Sequence, residues 1–151
     1  MIITRAKPED AEELTMIACE AKRYWGYPES WIRQWNEALT VTSGYIRDNP
    51  TFVAAIDETI VGFCAIRILA NDSVLDHLWV LPTAMRRGVG RALFMIAEKV
   101  ARECGVTRIM IVGDPYAEKF YKKMGATIYG QEPAPMDGQA RFLPLLEKNL
   151  G

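Results

Sequence analysis

Val80-Leu81-Pro82-Thr83-Ala84-Met85-Arg86-Arg87-Gly88-Val89-Gly90-Arg91-Ala92-Leu93 is the stretch that decides the reading of this chain. An apolar strand runs into a basic loop bearing two glycines, and the loop opens directly into an amphipathic helix. Glycine lets the backbone approach a ligand closely. The first N–H groups of a helix have no partner within it, so a helix start favours negative charge. Arg86, Arg87 and Arg91 add positive side chains around the same spot. A strand, turn and helix start of this kind imply a pyrophosphate as occupant.

Two common phosphate loops do not fit. The dinucleotide fingerprint needs a third glycine where Leu93 stands. A Walker loop needs Gly-Lys followed by Ser or Thr, which occurs nowhere in the chain. The stretch Met85-Arg86-Arg87-Gly88-Val89-Gly90 resembles motif A of the GNAT N-acetyltransferase superfamily, with Met85 in place of the usual Gln or Arg. A second segment, Asp114-Pro115-Tyr116-Ala117-Glu118-Lys119-Phe120-Tyr121-Lys122-Lys123-Met124-Gly125-Ala126, resembles the family's motif B, with Asp114 for Asn and Ala126 for Phe. Ile3-Thr4-Arg5-Ala6 and Asp10-Ala11 are similar to the family's first strand and helix start. The three segments follow one another in the family's order across most of the chain. The resemblance implies an α/β fold with a mixed, mostly antiparallel central sheet flanked by helices, formed as one domain over residues 1–151.

Bulk composition agrees with that size. A chain of 151 residues, half hydrophobic and a quarter charged, can bury a sound core. The net charge of −1 gives no basic excess of the kind nucleic acid demands, and the basic residues cluster only at 86–91 and 119–123. No apolar run reaches the length of a membrane span, and no signal-peptide pattern opens the chain. Cys19, Cys64 and Cys104 are odd in number and widely spaced, which predicts reduced, packed thiols and a cytoplasmic protein.

Residue periodicity predicts a strand over 2–6 and a helix to about 23, its apolar stripe formed by Ala11, Leu14, Ile17, Ala18 and Ala21. A second helix is expected over Glu29–Leu39, after a break at Tyr24-Trp25-Gly26-Tyr27-Pro28. Strands follow at 52–56, 60–68 and about 73–81. The helix after the loop presents Val89, Leu93, Ile96, Val100 and Cys104 along one stripe. A strand at 107–112, a helix begun by Asp114 and Pro115, and strands near 126–131 and 140–146 complete the chain.

Acetyl transfer from a thioester to an amine has four requirements. The donor must be held, the amine must be neutral, the developing oxyanion must be stabilised and the departing thiolate must receive a proton. By resemblance the donor is acetyl-coenzyme A, with no metal. Its pyrophosphate falls to Met85, Arg86, Arg87, Gly88, Val89, Gly90 and Arg91. Its pantetheine arm falls to main-chain groups of Leu78, Trp79 and Val80, one of which supplies the oxyanion donor. Asp114, Ala117 and Tyr121 of motif B complete the donor site. Tyr121 is the expected general acid, since a phenol stays protonated at neutral pH. The base is open: His77 titrates in the useful range, Asp76 neighbours it, Glu20 is a further candidate, and a water chain can replace all three. Strand alternation puts Asp76 and His77 on opposite faces. Tyr24, Trp25 and Tyr27 are candidate acceptor-site residues, and Trp31 and Trp35 candidate packing residues. Lys119, Lys122 and Lys123 are candidates for a 3′-phosphate. Amino acids, polyamines, aminoglycosides and protein N-termini all remain open as acceptors, as do longer acyl groups, a homodimer, and a non-catalytic acyl-coenzyme A-binding role.

Overall fold

The computed structural model describes residues 1–151. A seven-stranded sheet forms its centre: β1 (Ile2–Arg5), β2 (Thr51–Ile56), β3 (Thr59–Ile68), β4 (Ser73–Val80), β5 (Arg108–Val112), β6 (Thr127–Pro133) and β7 (Phe142–Asn149). The spatial order is β1-β2-β3-β4-β5-β7-β6. Every neighbouring pair is antiparallel except β4 and β5. This is the mixed, mostly antiparallel sheet that the motifs imply.

Parallel neighbours require a crossover, and α5 (Val89–Glu103) provides it between β4 and β5. With α6 (Glu118–Lys123) it covers one face of the sheet. Val89, Leu93, Phe94, Ala97 and Ala101 are buried there against Cys64, Ile66, Ile109, Ile111 and Leu146. The buried stripe is thus rotated from the expected one: Ile96 and Val100 lie at its margin, and Cys104 is exposed. Phe94 and Ala97 carry the burial instead, because the helix follows the sheet's twist rather than the most apolar line of its own sequence.

The opposite face is covered by α1 (Ala11–Arg23), α2 (Glu29–Gln34), α3 (Asn36–Leu39) and α4 (Ser43–Asp48). Leu14, Ile17, Ala18, Ile32, Leu39 and Ile46 meet Val53 and Phe63 there. The single helix expected over 29–39 is two, broken at Trp35 (φ −88°, ψ 5°). Trp31 and Trp35 pack edge to face, which the break permits. The short α4 carries no sequence signal beyond Thr42, whose side chain accepts from the Tyr45 N–H as an N-cap.

β2 and β3 are joined through Asp57 and Glu58, with φ of 50° and 65°. Both central residues of this turn are left-handed, the conformation that pairs with the strand twist but ordinarily selects Asn-Gly or Asp-Gly. Glu58 therefore carries a steric cost of about 1 kcal/mol. Replacing Glu58 by Gly is expected to stabilise the fold by that order and raise the melting temperature by about 2–4 °C, as thermal denaturation would measure.

Candidate functional site

The site begins where β4 and β5 part. The two strands pair only at Ser73 with Ile109 and Val74 with Met110. The cause lies partly on the other side of β4. Against β3, Ala65 faces His77 and Ile66 faces Leu75, leaving Asp76 as an extra residue in a bulge. A bulge bends its strand and ends regular pairing. From Leu75 onward the edge of β4 that faces β5 carries no ladder.

The bulge also overturns the expectation that Asp76 and His77 lie on opposite faces. Leu75, Leu78 and Val80 pack on the α5 face, whereas His77 and Trp79 turn to the α1–α4 face. Both Asp76 and His77 meet Tyr45 of α4. The tyrosine hydroxyl donates to Asp76 Oδ2 at 2.6 Å, and its ring stands edge-on to the imidazole. Asp76 also accepts from Arg67 at 2.7 Å. Burial and the bond to Asp76 push the Tyr45 phenol far above its ordinary range. His77 Nδ1 accepts from Trp79 Nε1 at 3.0 Å, so its proton sits on Nε2. Burial lowers the pKa of His77, with Asp76 opposing. The basic nitrogen of His77 is thus engaged within the protein, whereas Asp76 has Oδ2 engaged and Oδ1 without a protein partner.

Between the parted strands lies a cleft of about 470 Å³, lined by Leu78, Trp79 and Val80 on one wall and Val112, Asp114, Ala117, Phe120 and Tyr121 on the other. Its floor is the glycine loop. Gly88 sits at φ 79° as the N-cap of α5, and Arg86 is left-handed as well. The chain enters the helix so abruptly that the main-chain N–H groups of Arg86, Arg87, Gly88, Val89, Gly90 and Arg91 find no acceptor in the protein. Six successive free donors at a helix start form an anion cradle. Gly90 packs against Phe120, where an added Cβ would lie 3.3 Å from the ring. Met85, Arg86 and Arg91 line the cleft, and Arg87 does not.

Tyr121 is buried beside Phe94 and Phe120. Its hydroxyl has no hydrogen-bond partner in the protein, yet it is not sealed, since no fully buried polar side-chain atom lacks a partner. The hydroxyl therefore opens on the cleft. Burial, reinforced by the charge of Asp114, raises its pKa and keeps it protonated. Lys123 reaches the cleft wall, Lys122 pairs with Glu118, and Lys119 lines neither wall.

Asp114 lines the cleft and also gathers a polar cluster around its carboxylate. Its carboxylate accepts from Lys22 Nζ at 2.6 Å, from the Tyr27 hydroxyl at 3.1 Å and from the Tyr116 N–H at 2.9 Å. Arg141 stands 3.7 Å away. Burial lowers the Lys22 pKa, opposed by Asp114, and burial raises the Tyr27 phenol to about 12. Tyr27 is thus a structural donor behind the site, and Tyr24 is exposed. Neither lines the cleft. Trp25 does, stacked on Tyr116 at 5.2 Å. A smaller cavity of about 250 Å³ opens on the α1–α4 side, walled by Lys22, Trp35, His77, Gly113, Arg141 and Leu143. It meets the first at Asp76, Trp79, Val112 and Asp114, which line both. Sequence reading missed Lys22, Tyr45 and Arg141. Only Lys22 left a trace, as a cation one turn after Ala18 in an otherwise apolar stripe.

A sheet opened at one parallel pair, an anion cradle at the crossover helix and cavities on both faces define an acyl-transfer fold. The acetyltransferase (GNAT) family model matches residues 12–126, so the chain belongs to that family and is an acyl-coenzyme A-dependent N-acetyltransferase. It is 29% identical over 116 residues to spermidine N(1)-acetyltransferase of Thermoplasma acidophilum, covering 69% of this chain and 72% of that one. Its fold is similar to a GCN5-related N-acetyltransferase from Rhodopseudomonas palustris (TM-score 0.80, 21% identity, 98% of this chain and 94% of that one). It also resembles the PaiA N-acetyltransferase from Thermoplasma acidophilum in complex with coenzyme A (TM-score 0.76, 24% identity, 98% of each chain).

His77 is the only histidine, so it alone has an ordinary pKa between the carboxylates and the thiols. Its folded pKa is depressed, so the unfolded chain takes up this proton first as pH falls. The stability it contributes is full above about pH 6.5 and is lost as pH drops below that value. Urea midpoints are expected to fall between about pH 7 and about pH 5.5, and His77→Gln is expected to flatten that dependence.

Proposed function

We propose that this chain transfers the acetyl group of acetyl-coenzyme A directly to a primary amine, with both substrates bound at once. The observation that carries this reading is the run of six free N–H groups from Arg86 to Arg91, placed beside an unpaired edge of β4. Those N–H groups and the side chains of Arg86 and Arg91 would hold the pyrophosphate. The open edge at Leu78, Trp79 and Val80 would pair with the amide groups of the pantetheine arm as a strand pairs with its neighbour. Acetyl-coenzyme A supplies an activated acyl carbon and a thiolate leaving group.

The remaining work belongs to the protein. A main-chain N–H of Leu78–Val80 donates to the carbonyl oxygen as it gains charge. The amine nitrogen attacks the carbonyl carbon, the C–S bond breaks, the sulfur takes a proton from Tyr121 Oη, and the proton that the nitrogen sheds in forming the amide returns to the Tyr121 oxygen through water in the cleft. Tyr121 suits that role because its hydroxyl is protonated, near the cleft and otherwise uncommitted. With the basic nitrogen of His77 engaged and Asp76 Oδ2 held by Tyr45 and Arg67, the amine reaches the site already neutral or passes its proton to water.

Three measurements test this. Acetyl-coenzyme A at about 100 times its Kd should add about 2.7 kcal/mol of stability in a thermal-shift assay, and Arg91→Glu should remove most of that shift. No shift at millimolar ligand would leave the loop without its proposed role. Tyr121→Phe should lower kcat by about tenfold to a hundredfold while leaving acetyl-coenzyme A binding unchanged, and unaltered turnover rejects the acid assignment. Without a protein base, kcat/KM should climb about tenfold per pH unit up to the amine's own pKa. A plateau beginning near neutrality would instead reveal a titrating base on the enzyme.

A further inference from the structure

The smaller cavity, on the α1–α4 face, is walled by two cations, Lys22 and Arg141, and two carboxylates, Asp114 and Asp76, the latter paired with Arg67. The side chains of Lys22, Arg141 and Asp114 are close to nine-tenths buried. Lys22 directs one of its three N–H donors to Asp114 at 2.6 Å and lies over the ring of Trp35 at 4.4 Å. Arg141 is less committed still. One of its five N–H groups donates to the Tyr27 hydroxyl at 3.2 Å, and its contact with Asp114 is too long for a hydrogen bond. Its Nε and second terminal nitrogen have no protein acceptor, yet neither is sealed from solvent. The guanidinium carbon lies 4.9 Å from the ring centre of Trp35 and 5.2 Å from that of Tyr27. It projects from the hairpin before β7, whose tight turn at Asp137 and Gly138 fixes the approach.

We infer that this cavity takes an acceptor amine that also bears a carboxylate, a small amino acid, and that Arg141 is the residue that reads the carboxylate. A planar fork with open donors is the partner a carboxylate fits bidentately. The volume of about 250 Å³ suits a molecule of amino-acid size. The cavity meets the donor cleft at Asp76, Trp79, Val112 and Asp114, so an amine can reach the acetyl group from this side. A polyamine fits poorly. It would bring further positive charge to Lys22 and Arg141, and of the wall carboxylates Asp114 is held by Lys22 and Tyr27 while Asp76 has Oδ2 held by Tyr45 and Arg67 and only Oδ1 open. The inference rests on the acetyl-transfer reading and narrows its acceptor class.

The test measures coenzyme A release with the common L-amino acids, each beside its own carboxamide, and with putrescine and spermidine. The best amino acid should exceed its carboxamide in kcat/KM by about tenfold to a hundredfold, chiefly through KM, the difference a charged hydrogen-bonded pair makes. In Arg141→Gln that ratio should collapse to near one, and Arg141→Lys should restore part of it by returning charge without the fork. Melting temperatures check that both variants fold; if the Gln variant does not, a weakened ratio in the Lys variant carries the test. Preference for a polyamine or a carboxamide over every amino acid overturns the inference. So does a ratio that survives in the folded Arg141 variant. So does the absence of both turnover and tryptophan-fluorescence quenching with all amino acids in the presence of coenzyme A. A wild-type thermal shift with acetyl-coenzyme A alongside such a failure would discard the acceptor class and leave the acetyl-transfer reading standing. Loss of the shift itself would discard both.

Discussion

The parting of two parallel strands is the constraint on which the rest of this structure depends. β4 and β5 share two residues of ladder and then separate, leaving main-chain groups on both edges without partners. Unpaired backbone polar groups are costly when dry, so such an opening persists only where water or a ligand can satisfy them. The parallel arrangement also forces a crossover, and the crossover helix must start near the end of β4. The same topological fact thus produces the open edge and delivers six free N–H groups to its rim. The anion cradle and the open edge are two results of one chain path.

The second polar cluster answers a different need. Asp114 ends the loop after β5, and its carboxylate draws together Lys22 from α1, Tyr27 from the following loop and Arg141 from the last hairpin. These groups lie at the opening and hold its far wall. A buried ion cluster is weak evidence of stability, because desolvation offsets much of its attraction. Its value here is positional: it fixes one side of the gap while β4 fixes the other.

What could be read from the sequence follows from range. The loop at 85–91, the helix it opens and Tyr121 were legible because each rests on neighbours within a few residues. The sheet class followed from those motifs, and the comparison with known acetyltransferases agrees with it. Asp76 was placed on the wrong side of His77 because one bulge residue resets the alternation, and nothing local marks a bulge. The break at Trp35 was hidden by continuous helical spacing, since tertiary packing of Trp31, Trp35 and Tyr27 overrode propensity there. Arg141 sits 114 residues from its partner Tyr27, and Lys22 sits 92 from Asp114. No pattern within a window can report such pairs.

The position of β7 has a consequence for how the protein is made. The last strand does not close the edge of the sheet; it slots between β5 and β6. Until Phe142–Asn149 leave the ribosome, β5 has an exposed edge, Arg108 lacks Glu147, and Glu98 lacks Lys148. A nascent chain halted before this segment holds a finished donor loop on an unfinished sheet, with an apolar strand open to other chains. The order of synthesis therefore completes both walls of the cleft before the strand that backs one of them, and the polypeptide is open to self-association until that strand pairs with β5.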